Sequence, residues 1–402
     1  MNTRLSMFLV GAALLGSGST AQAEDILIRG GYVMTMDAGV GDLENTDVLI
    51  RNGRIAGIGK GLNASDATIV DAREAIVLPG FVDTHSHLYT TTMRGQFRNG
   101  DGQFFPVSSK AAAKMTPEGV ETAMHLGAVE LIQAGITTTA DFFDNVSSPA
   151  HGEAGLRALQ RSGIRGTLYY GGPDRSTKHP INLDQLRMLV ARQKDDAQIG
   201  IDLAWRLPRD LEDARNWAMR QREFDTAREL EIPVQVHVSG EPGPMFDALI
   251  ERGYLFSSLT AVHATDASAA QLQALESAGA RLALTPISEQ RVGLGKRADL
   301  QIIRLDSLNL AGFGGGDPSA LLVYSARPSD IDTVLVSGKI LKRNGQMVDA
   351  GLPQLLQAAK ASSRAIRGEA MPCSWRLQND RRSTIAPGLL PAFAPPHVQP
   401  SS

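Results

Sequence analysis

Residues 76–284 alternate between short apolar segments of strand length and longer segments with helical periodicity, and this alternation constrains the fold most strongly. After a first strand that ends near Asp83, we predict further strands at Thr137–Phe142, Ile164–Tyr170, Ile199–Trp205, Val234–Val238, Leu259–His263 and Arg281–Leu284. The helices predicted between them are Pro117–Ala134, Glu153–Arg161, Leu183–Gln193, Leu211–Glu231, Met245–Arg252 and Ala267–Ser277. Strict alternation is typical of a parallel sheet covered by helices, so we predict an α/β chain with a TIM-like (β/α) barrel.

The number of predicted strands is one short of a closed barrel. A TIM barrel has about eight strands, whereas seven are readable here. Only fourteen residues lie between Leu284 and Asp299, and a further βαβ unit would take about 30 residues. We therefore expect an incomplete barrel, unless another segment fills the gap. Because an open barrel has unpaired edge strands that need covering, we also consider a homo-oligomer.

Both flanks of the barrel contain short strands with tight turns. Asn52-Gly53 lies between Asp47–Arg51 and Arg54–Gly59 and is a strong hairpin signal. A similar turn at Ser337-Gly338 lies near the other end of the chain. We expect one small β-sandwich built from both flanks. The predicted regions are a signal peptide (1–23), the N-terminal part of the sandwich (24–75), the barrel (76–293), the C-terminal part of the sandwich (294–350), and a C-terminal helix with a disordered tail (351–402).

The start of the chain has the pattern of an export signal. Met1–Arg4 is a short basic segment, Leu5–Gly16 is an apolar run, and Ala21-Gln22-Ala23 is a small-x-small cleavage pattern. The alternative is a membrane anchor, but such a run is too short to span about 30 Å of hydrocarbon. We predict an exported chain, periplasmic or secreted, that has no membrane partner after cleavage.

Composition narrows the classes of partner. The chain has 40 Lys and Arg residues against 43 Asp and Glu residues, a formal charge of −3, so it lacks the basic field that nucleic-acid binding requires. Hydrophobic residues make up 43% of the 402 residues, enough for a large core. Cys373 is the single cysteine, which excludes an internal disulfide and a thiolate metal cluster. We expect a small-molecule substrate.

Four of the eight histidines fall at the ends of predicted barrel strands. His85 and His87 are two residues apart, so an extended chain turns both imidazoles to one side. His237 ends the fifth predicted strand and His263 ends the sixth. A lone His-x-His pattern is weak evidence, but barrel sites are built at these strand ends. The joint pattern predicts one divalent metal; neutral imidazole suits zinc, iron, nickel or copper, and hydrolysis favours zinc.

Three carboxylates near these strand ends have competing interpretations. Glu241, four residues after His237, is either a general acid/base that moves protons between the attacking water and the leaving group, or a solvated loop residue. Glu289 either orients substrate or closes a surface salt bridge. For Asp266 we favour the N-cap of the next helix.

Several segments together resemble the metal-dependent amidohydrolase superfamily, most closely its cytosine deaminase and chlorohydrolase-like branch. They are Leu78–His87, Ala134–Thr138, Thr285–Glu289 and Gly295–Leu300, together with His237 and His263. The resemblance covers nearly the whole chain after residue 23. It implies a (β/α)₈ barrel with a two-ended sandwich and a divalent metal that activates water against a carbon–nitrogen or related bond. It also implies His85, His87, His237 and His263 as metal ligands and Glu241 as the proton shuttle.

Two departures from the family pattern leave two functions open. One extra residue separates His237 from Glu241, and the Asp with which the family ends strand eight has no counterpart before Asp299. The first function is a hydrolase acting on non-peptide carbon–nitrogen bonds of a small substrate, with a ring amine or a cyclic amide as the candidates. The second is a catalytically impaired relative that binds metal or ligand without turnover. The candidate substrate-pocket residues are Tyr89, Met93, Arg94, Trp205 and Arg206.

Overall fold

The computed structural model describes residues 24–94, 104–173, 178–238, 242–264, 267–283, 297–311, 317–349 and 351–367. The strands in these residues are β1 (Ile26–Val33), β2 (Leu43–Arg51), β3 (Arg54–Gly59), β4 (Thr68–Asp71), β5 (Ala75–Pro79), β6 (Phe81–Ser86), β7 (Ile136–Phe143), β8 (Arg165–Tyr170), β9 (Ile199–Trp205), β10 (Val234–Val238), β11 (Leu259–His263), β12 (Arg281–Ala283), β13 (Leu300–Arg304), β14 (Ile331–Val336), β15 (Lys339–Arg343) and β16 (Gln346–Met347). The α-helices are α1 (Phe104–Ala112), α2 (Pro117–Gln133), α3 (Pro149–Ser162), α4 (Leu183–Gln193), α5 (Ala214–Glu229), α6 (Pro242–Glu251), α7 (Ala269–Ser277), α8 (Pro318–Tyr324) and α9 (Leu352–Arg367). Within these same ranges, no helix has the length and apolar character needed to cross a membrane.

Strands β6 to β12 form one parallel sheet in chain order, and helices connect most of its neighbouring strands. Each strand pairs with the next one along the chain, so β6 pairs with β7 and β12 pairs with β11. No pairing joins β12 back to β6 in the described part of the chain. The predicted class, an α/β TIM-like barrel with seven readable strands, is therefore confirmed.

The two flanks of the barrel combine into a second sheet of nine strands. It is joined across the barrel insertion by β5 and β13, which pair antiparallel from Ala75↔Arg304 to Pro79↔Leu300. This flank sheet has an apolar core of its own, in which Ile28, Ile50 and Ile302 are buried. The ends of the chain therefore share one hydrogen-bonded sheet, in the flanks from which a small β-sandwich is predicted.

Both predicted hairpin turns of the flank sheet are present, and they touch each other. Asn52 and Gly53 have φ of 50° and 71°, and Ser337 and Gly338 have φ of 50° and 74°. Positive φ at both central residues is the geometry of a type I′ turn. A Cβ at Gly53 would lie 2.5 Å from the Ser337 carbonyl oxygen, so glycine is required there for close approach as well as for φ.

The helix starts follow local capping groups more closely than hydrophobic periodicity. Thr116 caps α2, directly before the predicted helix start at Pro117, and its hydroxyl accepts a hydrogen bond from Gly119 N at 3.1 Å. The prediction that Asp266 caps the helix after β11 is wrong. Ser268 is the N-cap of α7, in a capping box with Gln271. Because the Ser268 hydroxyl and the Gln271 side chain satisfy the first backbone groups reciprocally, the helix begins at the serine.

Candidate metal centre

The histidines of β6 lie where the strand ends. β6 is followed directly by His87 and then by a 3₁₀ helix, Leu88–Met93. His85 is still within the strand, and its Nε2 lies 3.2 Å from Nε2 of His87. The alternation of an extended chain therefore turns both imidazoles to the same side, as predicted.

The other two histidines come from neighbouring strands. His237 lies in β10, and β11 ends at His263, which is paired with Val238. His263 has φ of 74° and the next residue, Ala264, has φ of 43°. Left-handed backbone at two consecutive residues with side chains is strained, and such strain concentrates at functional sites. The chain is thus bent at the position that carries the imidazole.

The spacing of the ring nitrogens suits one shared ion. Nε2 of His85 lies 3.0 Å from Nε2 of His237. One ring nitrogen each of His85, His237 and His263 lies within 4.8 Å of the other two, and His87 contacts His85 beside this group. Two nitrogens about 2.0–2.1 Å from a tetrahedral zinc ion would be roughly 3.3 Å apart. The geometry and the donor atoms therefore fit a divalent metal.

Burial keeps these imidazoles neutral. It lowers the pKa of His85 to about 3, with the charge of His87 adding to the effect. Burial also lowers the pKa of His87 to about 4. The pKa values of His237 and His263 are lowered for the same main reason. All four rings therefore carry free lone pairs at neutral pH, which is the state a metal ligand needs.

Phe142 forms the apolar packing beside the imidazoles. Its ring is fully buried at the end of β7, and its centroid lies 4.3 Å from that of His237. It also lies 5.4 Å from His85 and 5.5 Å from His87, measured between ring centroids. One aromatic side chain therefore contacts three of the four rings, which restricts their orientations and excludes water from one side.

Two of the rings have polar partners on their second nitrogen. Nδ1 of His85 lies 3.0 Å from Oε1 of Gln235, a buried residue of β10. Nδ1 of His87 lies 3.2 Å from Oδ1 of Asp144, and Asp144 also forms an ion pair with Arg206. Such partners hold a ligating histidine in one orientation and one tautomer.

Three other carboxylates each accept a hydrogen bond from a group outside the histidine rings. Asp141 is fully buried, and its Oδ1 accepts a hydrogen bond from Leu88 N at 2.7 Å. Burial raises the pKa of Asp141 to about 7. Asp83 accepts a hydrogen bond from the Thr139 hydroxyl at 2.7 Å. Asp299 accepts from Arg165 Nε at 2.6 Å, at the junction with the flank sheet. Among the described residues, no carboxylate joins the mutual group of histidine nitrogens.

Three predicted carboxylates cannot be placed in this site. Glu241, the proposed proton shuttle, lies outside the described residues, as do Glu289 and Asp266. The role of Glu241 therefore stays a prediction from the sequence.

One cavity adjoins the histidines, and a second, larger cavity adjoins the first. A cavity of 290 Å³ is lined by His85 and His263 together with Asp83. A larger one of 680 Å³ lies in the barrel interior and is lined by polar side chains that include Asp83, Gln235 and Arg281. The interior of a complete TIM barrel is filled by packed side chains. The 680 Å³ cavity in the interior of this barrel is consistent with a sheet in which β12 and β6 are not paired in the described residues.

The substrate-pocket candidates from the sequence have mixed positions. Met93 and Trp205 are fully buried, and the indole Nε1 of Trp205 donates to Arg220 O at 3.1 Å. Arg94 pairs with Glu130 at the surface. Tyr89 is buried beside His87, with ring centroids 6.2 Å apart. These positions indicate core or positioning roles for most of the set.

The sequence reasoning missed Gln235 and Asp144, and both had a usable signal. Gln235 lies two residues before His237 in one strand and therefore shares its face. Asp144 directly follows β7 at the same end of the sheet as the histidines. Gln235 could therefore be predicted from the strand face that it shares with His237, and Asp144 from its position directly after a strand.

The fold and the site together define the class: an α/β barrel whose strand ends bring neutral imidazoles into one metal-binding geometry. Residues 76–274 match the model described as Amidohydrolase family. The barrel is an amidohydrolase-family domain and belongs to the metal-dependent amidohydrolase superfamily, as the sequence motifs predict.

Curated relatives are named as deaminases. The 5'-deoxyadenosine deaminase of Methanosarcina barkeri is 36% identical over 153 residues, which are 37% of this chain and 33% of the relative. The 5-methylthioadenosine/S-adenosylhomocysteine deaminase of Nitratidesulfovibrio vulgaris is 25% identical over 299 residues, which are 67% of this chain and 64% of the relative. The match thus spans about a third of the length of the first relative.

Solved structures share the fold at low sequence identity. Atrazine chlorohydrolase of Arthrobacter aurescens TC1, complexed with zinc and atraton, has a TM-score of 0.68 and 17% identity, with 84% of this chain and 100% of that chain covered. An adenosine deaminase of Xanthomonas campestris with bound zinc has a TM-score of 0.66 and 18% identity, with 86% and 99% covered. At this level of identity the likeness concerns the fold.

Proposed function

We propose that this chain is a metal-dependent hydrolase that cleaves a non-peptide carbon–nitrogen bond of a small nitrogen heterocycle and releases ammonia. The observation that carries the proposal is the group of His85, His237 and His263, whose ring nitrogens lie within 4.8 Å of one another. The amidohydrolase-family match over the same strands supports the reaction class.

Zinc is the metal that fits best. Three neutral imidazoles form a ligand set typical of catalytic zinc, which keeps a further position for water or substrate. The zinc recorded in the two structural neighbours is consistent with this choice. When bound, such an ion supplies an activated water as nucleophile at neutral pH.

The chain's own residues would position ligands and move protons. His85, His87, His237 and His263 would hold the ion, and Glu241 would carry the proton from the attacking water to the leaving nitrogen. The Asp144 carboxylate would keep the His87 ring in its orientation, since it lies 3.2 Å from Nδ1 of that ring.

We propose an adenosine-type nucleoside as the substrate, because the curated relatives are named as deaminases of 5'-deoxyadenosine and 5-methylthioadenosine. Deamination replaces the exocyclic amino group with oxygen from water and releases ammonia. The cavity of 290 Å³ beside His85 and His263 would admit part of such a molecule, and the adjoining interior cavity offers further polar room.

The first experiment measures zinc per chain, then ammonia release from adenosine, 5'-deoxyadenosine, 5-methylthioadenosine and cytosine. We expect about one zinc per chain, activity that chelation removes and zinc restores, and loss of activity in Glu241→Gln with zinc retained. A folded chain that retains no zinc would contradict the proposal.

A second candidate is a protein that binds metal or ligand without turnover. Two observations favour it: β12 and β6 stay unpaired, and no carboxylate joins the histidine nitrogens, both within the described part of the chain. A zinc-loaded, well-folded chain that releases no ammonia from any compound of the panel would support this candidate over the hydrolase.

We also propose that the chain is exported to the periplasm or secreted, on the basis of the signal pattern in residues 1–23. N-terminal sequencing of the protein from its natural host should give Glu24 as the first residue. Retention of Met1 in the mature protein would contradict export by this route.

Homo-oligomer formation through the β6 and β12 edges is a further proposal, which sedimentation of the metal-loaded chain would test.

A further inference from the structure

We propose that Gln235 is a positioning residue of the metal centre, which holds His85 in the tautomer with the proton on Nδ1 so that Nε2 is free to bind the ion. The inference deepens the proposed function and rests on a metal bound at His85. It assigns a task to a residue that neither the sequence motifs nor the histidine group includes.

The hydrogen bonds of the Gln235 amide fix its orientation. Its Nε2 donates to the Thr84 carbonyl oxygen at 3.1 Å. Because a carbonyl oxygen only accepts, this contact must use the NH₂ group of the amide, and the oxygen is left for the other side. That oxygen, Oε1, lies 3.0 Å from Nδ1 of His85. Nδ1 must therefore carry the proton.

The tautomer decides which nitrogen of His85 can bind a metal. A neutral imidazole has one N–H and one lone pair. With the proton on Nδ1, the lone pair is on Nε2, the atom that lies 3.0 Å from Nε2 of His237 and 3.2 Å from Nε2 of His87. The amide of Gln235 thus directs the lone pair toward the other ligands.

The same amide links two distant strands across the barrel. Gln235 is in β10 and His85 is in β6, and three strands lie between them in the sheet. β6 is an edge strand in the described residues, so sheet pairing holds it from one side only. Contacts to the Thr84 backbone and to the His85 ring supply a second constraint at the end of the strand that forms the site.

A purely structural role would make Gln235 equivalent to other buried amides, and the chain offers a matched one. Gln185 is also buried, accepts a hydrogen bond from the Tyr170 hydroxyl at 2.7 Å and donates to Pro149 O at 2.7 Å. Its partners lie outside the histidine group. Gln185→Leu is therefore the control for loss of a buried amide side chain that forms two hydrogen bonds.

The first test reads the tautomer directly. Nitrogen NMR of the ¹⁵N-histidine-labelled, metal-free wild-type chain should show His85 protonated on Nδ1, with its signals assigned by their loss in His85→Asn. Protonation of His85 on Nε2 would overturn the proposal. This measurement needs no Gln235 variant to fold.

The second test measures zinc affinity by competition with a chelating dye. Loss of a group that supports a ligand typically weakens metal binding about 10–100-fold, and we expect this range for Gln235→Leu. Gln235→Glu, which keeps an acceptor for Nδ1, should restore most of the affinity, and Gln185→Leu should stay within about twofold of wild type. Equal weakening in Gln185→Leu, or none in Gln235→Leu, would overturn the proposal.

A wild-type chain that binds no zinc would instead overturn the proposed function, while the tautomer measurement still decides the role of Gln235.

Discussion

The flank sheet and the histidine end of the barrel are built on opposite principles. The flank sheet is closed by two type I′ turns that pack on each other, and its core residues, such as Ile28 and Ile302, are apolar and buried. The histidine end buries ionisable side chains, among them His237 and Asp141, and bends the backbone at His263 into the left-handed region. In the flank sheet, left-handed backbone at Asn52 and Ser337 is what type I′ turns require, whereas at His263 it lies at the end of a strand beside buried ionisable groups.

The difference separates what stabilises the chain from what gives it a function. Burying polar groups and holding a residue in left-handed backbone both cost free energy. Such costs persist where the arrangement has a use, and a site that binds a metal recovers them on binding. Changes in the flank sheet should therefore alter folding and spare zinc, whereas changes among the histidines should alter zinc more than folding.

The largest effect is expected at His237. His237→Ala removes a ring nitrogen that lies 3.0 Å from Nε2 of His85. The affinity for zinc should fall by more than the roughly 100-fold seen when only a supporting group is lost. Dye competition on the purified variant gives the value. His125→Ala, which removes a buried histidine of α2 outside the group, is the matched control and should keep zinc.

The second prediction concerns a turn of the flank sheet instead of the histidines. Gly53→Ala combines a φ of 71° with a Cβ placed 2.5 Å from the Ser337 carbonyl oxygen. Gly345→Ala has a similar φ of 73° but no atom within 4 Å of the new Cβ. Left-handed backbone should cost both variants about 1–2 kcal/mol, and overpacking should cost Gly53→Ala about 1–3 kcal/mol more.

Urea titrations give the free energy of unfolding of both glycine variants, and zinc affinity should be unchanged in the folded fraction of each. Equal destabilisation of Gly53→Ala and Gly345→Ala would mean that the contact between the Gly53 turn and the Ser337 turn does not contribute to stability. A loss of zinc in Gly53→Ala without loss of stability would break the division between the regions.

Sequence patterns predicted elements best where local chemistry determines them. The bounds of α4, β9, β10 and β11 agree with the prediction, because each segment combines clear periodicity with turn or capping residues at its ends. α5 begins after Asp213 and not at the predicted Leu211, because the Asp213 side chain accepts hydrogen bonds from Arg215 N and Asn216 N. Hydrophobic periodicity alone cannot locate such a cap.

The site was predictable only in part, for a physical reason. His85, His87, His237 and His263 come together because parallel strands end at one edge of the sheet, and that rule can be applied to a sequence. The contact between Gln235 and His85 depends on strands that are far apart in the sheet. No spacing along the chain encodes a distance across the barrel interior.

The third prediction concerns pH. Burial raises the pKa of Asp141 to about 7 from 3.8, so the folded chain holds a proton there that the unfolded chain releases above about pH 4. The wild type should therefore lose stability at this site as pH rises from about 4 to 7. Asp141→Asn keeps an acceptor for Leu88 N and does not ionise, so its stability relative to wild type should rise over that window, by an amount on the order of 1 kcal/mol or more.

Urea titrations of both metal-free proteins at pH 4.5, 6 and 8 give that difference. A difference that is flat, or that falls with pH, would show that Asp141 is ionised in the folded chain. The histidine end would then contain less destabilising chemistry than its burial implies.

The smallest effect is expected at Ser268, the N-cap of α7, where a contact that stabilises the helix follows closely after the proposed metal ligand His263. The Ser268 hydroxyl accepts from Gln271 N at 3.3 Å, and Gln271 Oε1 accepts from Ser268 N at 2.9 Å. Ser268→Ala should cost about 1 kcal/mol of unfolding free energy, and Ser268→Asp, which keeps an acceptor, only a few tenths. Because α7 begins six residues after His263, loss of the cap should fray the helix start and leave zinc affinity within about twofold of wild type. Weaker zinc binding in Ser268→Ala that Ser268→Asp restores would mean that the cap also holds the bent backbone at His263, and that the stabilising and functional parts of the chain are coupled at this loop.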